Sequence, residues 1–330
     1  MDSQANVAHG ISDISNRTEP VHVLVTGGAG YIGSILVPAL LARRHRVTVI
    51  DNMLYHQASL LDCCGDPALE VVRGDARDRD LIARSLKTAD VIMPLACLTG
   101  APLCDRDPIA AKTTNLDAIR MLLELRGRSQ WIIFPTTNSG YGVGVEGVYC
   151  TEETPLNPIS LYGRLKSDAE TAILDAGNAV TFRLATVFGA SPRMRLDLLV
   201  NDFTYRAVTD RAIVLFEAHF RRNFIHVRDV AAAFAHALDC FEAMKDQPYN
   251  VGRSDANCSK LELCEHIRQV VPDFYFTEAR IGEDPDKRDY IVSNEKIEAT
   301  GFRAAHSLDD GIRELVKAYR IIRKSTYANV

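Results

Sequence analysis

The sequence predicts an α/β fold: a doubly wound parallel sheet with a smaller lobe on its C-terminal side. Three observations carry this. Short β-branched runs alternate with stretches at helical period as far as residue 190. The runs are apolar on both faces, as strands of a sheet covered on both sides must be. A glycine-rich turn follows the first run directly.

The elements follow in order. Residues 1–20 are polar and mixed in charge, which predicts a disordered extension and not a signal peptide. Val21–Thr26 is the first strand candidate, and Val47–Ile50, Glu70–Arg73, Val91–Leu95, Trp131–Phe134 and Val180–Leu184 follow. Between them, Ile32–Arg44, Leu81–Lys87, Ile109–Arg126 and Tyr162–Asp175 read as helices. Regularity loosens after Gly189. Phe224–Val227 and Tyr249–Gly252 are further strands on either side of the alanine-rich helix Asp229–Phe241. The expected division is therefore a nucleotide-binding lobe over residues 21–190, to which 224–252 returns. A substrate lobe is built from 191–223 and 253–330.

Composition narrows the function classes. The chain has 330 residues, 47% hydrophobic and 25% charged, with a net charge of −5. That balance gives no global field for nucleic acid or a membrane surface. No apolar run approaches the roughly 18 residues of a membrane helix. The eight cysteines form no C-x-x-C pair, and no histidine cluster has metal-ligand spacing, so no metal is expected. Scattered thiols fit a reducing compartment, and the cytoplasm is the expected location.

Chemistry concentrates at three places. The first strand runs into Gly27-Gly28-Ala29-Gly30-Tyr31-Ile32-Gly33. Gly27 permits a tight turn, Gly30 lets backbone amides approach a pyrophosphate, and Gly33 lets the next helix pack on the strand. The helix N-terminus, at Tyr31 and Ile32, then offers its free N–H groups to the phosphates. Asp51 ends the second strand, where an acid accepts from adenosine ribose hydroxyls and repels a 2′-phosphate. Together they predict a bound dinucleotide, NAD in preference to NADP, with Asp75 near the adenine. Second, Tyr162 and Lys166 form a Y-x-x-x-K pair on one helix face. A nearby ammonium lowers a phenol's pKa from about 10, so that it can take a hydroxyl proton. Third, the fifth strand leads into Thr136-Thr137-Asn138-Ser139-Gly140-Tyr141-Gly142, where Thr137 can steady a reacting oxygen.

These motifs, with Leu95-Ala96-Cys97 and Arg222-Asn223-Phe224-Ile225-His226-Val227-Arg228-Asp229, resemble the extended short-chain dehydrogenase/reductases, the NAD-dependent epimerase/dehydratase family. The resemblance runs from about residue 21 to 330. It implies a Rossmann domain with a small C-terminal lobe and a catalytic set of Thr137, Tyr162 and Lys166. It also implies cofactor contacts at Asn52, Ala76, Leu95, Ala96 and Lys166, a sugar-nucleotide substrate, and a homodimer through a four-helix bundle of helices near 109–126 and 162–176. Arg222 and Arg288 would hold the substrate diphosphate, with Thr99, Arg195 and Asn201 as further substrate residues. His226 reads as a packed strand residue.

The segments Ser191–Phe203, His219–Phe224 and Gly282–Tyr290 are similar to bacterial GDP-manno-heptose dehydrogenases of capsule synthesis, which oxidise the sugar at C4. Family dehydratases carry Thr-Asp-Glu where this chain has Thr137, Asn138 and Ser139. An asparagine cannot titrate, and dehydration is disfavoured. The expectation is a C4 dehydrogenase. A 4-epimerase and a catalytically silent NAD-binding regulator stand as alternatives.

Overall fold

The computed structural model describes residues 19–279, 281–282 and 287–322. Most of the expected N-terminal extension lies outside the described residues. In chain order the strands are β1 (His22–Thr26), β2 (Arg46–Asp51), β3 (Leu69–Arg73), β4 (Val91–Pro94), β5 (Trp131–Thr137), β6 (Tyr149–Cys150), β7 (Ala179–Leu184), β8 (Thr186–Phe188), β9 (Ala212–Leu215), β10 (Arg221–His226), β11 (Gln247–Val251), β12 (Asn257–Ser259), β13 (Tyr275–Glu278) and β14 (Ile291–Val292).

Seven of them form one sheet in the order β11-β7-β5-β4-β1-β2-β3, and every neighbouring pair is parallel. The chain builds outward from β1 to β3, then returns to the other side of β1 with β4. That reversal is the switch point of a doubly wound Rossmann sheet, and it opens a crevice beyond the C-terminal ends of β1 and β4.

Side-chain alternation explains the two covered faces. Val23 and Val25 of β1 enter one core, and Leu24 enters the other. Val91 and Met93 of β4 divide from Ile92 in the same way. Helices Gly33–Ala42 and Val227–Asp239 close the first core with Leu36, Leu40, Val230 and Phe234. Helices Arg79–Leu86, Ala118–Leu125 and Leu161–Ala176 close the second with Ile82, Leu122, Leu165 and Ile173. The C-terminal helix Leu308–Ile321 sends Ile312 and Leu315 into the first core, so the smaller lobe is continuous with the sheet's packing.

Two expectations are corrected. The helix expected over Ile109–Arg126 is three pieces: Pro108–Lys112, a π-helical turn Thr113–Asp117, and Ala118–Leu125. Within the wide turn, Asn115 is buried and spends its carboxamide on the loop after β4. Leu98 N donates to Oδ1 at 2.8 Å, and Nδ2 donates to Leu98 O at 2.8 Å. Such turns are favoured where a helix must serve a neighbouring site. The second correction concerns the returning segment. β11 joins the large sheet beside β7, but Phe224–Val227 does not return to it. β10 pairs parallel with β8 and antiparallel with β12 in a separate three-stranded sheet. β8 leaves the large sheet immediately after β7 and offers β10 its edge.

All eight cysteines are free thiols. Among the described residues no helix is long and apolar enough to cross a membrane, and no cluster of potential metal ligands occurs.

Candidate active site

A crevice of about 450 Å³ runs along the C-terminal edge of the large sheet. The glycine turn forms one wall. Gly27 takes a φ of +70°, and a Cβ there would meet the Ala96 backbone N at 2.6 Å, so β1 and the chain after β4 touch backbone to backbone. A Cβ on Gly33 would stand 2.4 Å from Gly28 O, which ties the helix start to the turn. Gly30 meets only Gly27 O, at 3.1 Å, and its crevice side is open. This is a cradle that side chains would fill, and it fits a diphosphate held by backbone amides.

Asp51 is buried at the end of β2. Its carboxylate accepts from Ala29 N at 3.0 Å, Met53 N at 2.8 Å and Gln57 Nε2 at 3.3 Å. An ionised carboxylate has about four acceptor sites, so room for a ribose hydroxyl remains. Asp75 pairs with Arg77 at 2.6 Å, and the bonds from Arg77 hold its carboxyl below the usual carboxylate range.

The structure brings most of the expected residues to this one crevice. Gly27, Gly30, Tyr31, Ile32, Gly33, Asp51, Asn52, Asp75, Ala76, Leu95, Ala96, Thr99, Tyr162, Lys166 and Arg195 all line it. Tyr162 and Lys166 project from helix Leu161–Ala176, whose N-cap Ser160 accepts from Gly163 N at 3.1 Å. The lining carries five cations (Arg77, Arg106, Lys166, Arg193, Arg195) against three carboxylates (Asp51, Asp75, Asp107), a balance that suits an anionic ligand.

The electrostatics of the Tyr/Lys pair differ from expectation. Burial is the largest influence on Tyr162 and drives its phenol well above the ordinary range. Arg195 and Arg288 pull it back down in part. Lys166 is buried too, which lowers its pKa, and its ammonium lies 3.8 Å from the centroid of the Phe134 ring. The expected depression of the phenol by the ammonium is therefore not seen: desolvation dominates, and the cations that lower the phenol's pKa are Arg195 and Arg288.

Four expected residues do not reach the crevice wall. Thr137 Oγ1 donates to Ser139 Oγ at 3.0 Å and accepts from Ser139 N at 3.1 Å, so it caps the turn after β5. Its neighbour Thr136 lines the crevice instead and donates to Glu170 at 3.0 Å. Asn201 is fully buried: Gly189 N donates to it at 3.0 Å, and its own amide donates to Arg195 O at 2.8 Å. That carboxamide is spent on the chain. Arg222 is buried, donates to Arg221 O at 2.8 Å and faces the Tyr290 ring. Arg288 donates to Ser139 Oγ, which brings the second lobe onto the turn after β5. The matching motif residues 283–286 lie outside the described residues. His226 is packed as expected, bonded to Glu314 at 2.6 Å and stacked on His306.

Sequence reading missed Tyr55, Gln57, Arg77, Cys97, Arg106 and Arg193, all on the lining. Arg193 lies 4.2 Å from the Tyr55 ring centroid. Its segment crosses the glycine turn, with Tyr31 Oη donating to Gly189 O at 2.7 Å and Ser191 Oγ to Tyr31 O at 2.7 Å. Only the SPRMR run hinted at it.

A cradle for a diphosphate, an acid at the end of β2 and a half-buried tyrosine one helical turn from a buried lysine, all in one crevice, define a dinucleotide-binding α/β protein. The chain belongs to the NAD-dependent epimerase/dehydratase family, whose model matches residues 23–252. It is 27% identical over 314 residues to UDP-glucuronic acid decarboxylase 1 of Arabidopsis thaliana, covering 91% of this chain and 70% of that protein. It is 29% identical over 313 residues to the low-salt glycan biosynthesis protein Agl12 of Haloferax volcanii, covering 90% and 98%. Among solved structures, the UDP-glucose 4-epimerase of Thermus thermophilus in complex with NAD is similar at a TM-score of 0.78. The identity there is 26%, with 91% of this chain and 99% of that one covered.

Proposed function

We propose that this chain is an NAD-dependent sugar-nucleotide oxidoreductase that oxidises the sugar at C4, with a GDP-manno-heptose as substrate. The observation that carries the reading is that Tyr162, Lys166 and Arg195 line the same crevice as the glycine cradle and Asp51. A hydroxyl-bearing ligand beside a dinucleotide would then meet a phenol and two cations together. The similarity to a UDP-glucuronic acid decarboxylase and a UDP-glucose 4-epimerase supports a nucleotide-linked sugar as the substrate class.

NAD, when bound, supplies a positively charged ring that accepts a hydride. The residues to hold it are Gly27–Gly33 for the diphosphate, Asp51 and Asn52 for the adenosine ribose, Asp75 and Ala76 at the adenine, and Leu95, Ala96 and Lys166 toward the other end. Tyr162 takes the proton from the C4 hydroxyl. Arg195 and Arg288 favour the phenolate that does so. Thr137 steadies the oxygen by trading its bond to Ser139 for one to the sugar. Arg288 serves the substrate diphosphate by leaving Ser139 for it, and Arg222 joins it only where the packing on Tyr290 opens. Dehydration is disfavoured, because Asn138 offers no titrating group and Ser139 is a poor acid.

A second reading, 4-epimerisation, draws support from the similarity to the Thermus thermophilus enzyme. Incubating the purified protein with NAD and GDP-, UDP-, dTDP- and CDP-sugars separates the two. Net reduced nicotinamide with a mass loss of two hydrogens marks a dehydrogenase. An inverted product with no net redox change marks an epimerase. Cofactor binding with neither would leave a silent regulator and overturn the proposal.

A further inference from the structure

Buried polar atoms without a partner cost folding energy, so a native chain keeps few of them. Among the described residues, His45, Thr181, Thr204 and Asn294 each leave one such side-chain atom. Asn138 leaves two: both its carboxamide oxygen and its nitrogen are buried and unpartnered. The residue is 1% exposed.

The setting is informative. Asn138 opens the short turn Asn138–Tyr141 at the end of β5. Pro135 and Thr136, just before it, line the crevice. Thr137 and Ser139 on either side are bonded to each other, and Arg288 of the smaller lobe donates to Ser139. The positive charges of Arg288 and Arg195 both reach the Tyr162 phenol. The orphaned carboxamide thus follows the crevice lining by two residues, on the turn that Arg288 of the smaller lobe closes. It is not itself on the lining, so a ligand reaches it by displacing the Arg288 contact with Ser139. Packing does not require an amide there, since an apolar residue of similar size would avoid the desolvation cost.

We infer that Asn138 is a specificity-determining residue, which hydrogen-bonds the sugar hydroxyl at C3 or C6, on one or the other side of the reacting carbon. The inference rests on the C4 oxidoreductase reading and names a contact within it. A carboxamide presents one acceptor and one donor group side by side, and a hydroxyl both donates and accepts, so the two are complementary. An ionised carboxylate at this position could only accept. The asparagine therefore selects a hydroxyl without offering it a proton.

The test uses Asn138→Ala in the full chain with NAD, GDP-manno-heptose and its 3-deoxy and 6-deoxy analogues. In the variant, kcat/KM for the parent sugar is expected to fall roughly ten- to a hundredfold, the loss that follows from leaving a substrate hydroxyl unpaired. For one of the two analogues the variant and the wild type should be equal, because the hydroxyl that Asn138 reads is already gone. The affinity for NAD alone should not change. The melting temperature without ligand should change by no more than a few degrees, since no bond in the protein is lost and the small cavity left behind is offset by removal of two unpartnered polar atoms. Equal losses on all three sugars, no loss on any, or a fall of more than about 5 °C in Tm would each overturn the inference while leaving C4 oxidation intact. Failure of the wild type to oxidise any sugar nucleotide would sink the proposed function, and this contact with it.

Discussion

A phenol acts as a base only when its surroundings favour the anion. At Tyr162 burial opposes the anion, and the charges of Arg195 and Arg288 oppose burial. The helix supplies position, and cations from two other segments supply the field. Tyr162→Phe keeps the shape and removes the oxygen, so kcat should fall by about 10²–10⁴-fold with NAD affinity, read by fluorescence titration, nearly unchanged. Full turnover in that variant would refute the assignment. The two threonines before the turn divide by role. Thr136 donates to Glu170, which Arg183 also holds at 2.7 Å and 2.9 Å in a buried network. Thr136→Val should therefore cost about 1–3 kcal/mol of stability in urea unfolding. Thr137→Val removes the cap on Ser139, which should cost about 0.5–2 kcal/mol, and should also cut kcat roughly a hundredfold, a loss of turnover that Thr136→Val should not share. The reverse pattern would make Thr136 the residue that serves the oxygen.

At the scale of elements, legibility in the sequence followed how local the physics is. The glycine turn could be read because its demands fall on the backbone of seven consecutive residues. Gly27 needs a positive φ, and Gly33 needs contact with Gly28. The strand order could be anticipated as parallel because the runs were apolar on both faces. The choice between Thr136 and Thr137 was not legible. Both sit on β5, and alternation alone does not say which face meets the crevice. Tyr55 and Arg193 meet across the crevice from separate loops, and no periodicity records that. Asn201 shows the opposite error. An exposed-looking polar residue in a ligand-like motif became the buried partner of Gly189 and Arg195. The break in the 109–126 helix was hidden for a similar reason: Asn115 answers the Leu98 backbone, which lies in another element.

For the whole molecule, the join between the C-terminal helix and β10 contains a charged contact. Glu314 of the C-terminal helix accepts from His226 at 2.6 Å and from Arg228 at 2.9 Å. Burial alone would raise its pKa, but those bonds outweigh burial and hold it at about 2, below its ordinary value of 4.5. A carboxyl with a depressed folded pKa adds stability that is fully present above its unfolded pKa and is lost as pH falls toward the folded one. The wild type should lose this part of its stability between about pH 4.5 and pH 2. Glu314→Gln should lower Tm at neutral pH and flatten the acid limb in that window. A variant curve parallel to the wild type would refute the role of this carboxylate. Assembly is the remaining question at this scale. Helices Ala118–Leu125 and Leu161–Ala176 lie side by side on one face of the sheet, and Ile109, at the start of the segment leading into the first, is 79% exposed. A single exposed isoleucine is ordinary. If the helices near 109–126 and 162–176 pair with a second copy, as the family resemblance implies, Ile109 would find a contact there. The chain should then sediment at about twice its 36.5 kDa, and Ile109→Arg should shift it toward the monomer without weakening NAD binding. A wild-type protein that stays monomeric at micromolar concentration would sink the four-helix interface, while the crevice and its chemistry, contained within one chain, would stand.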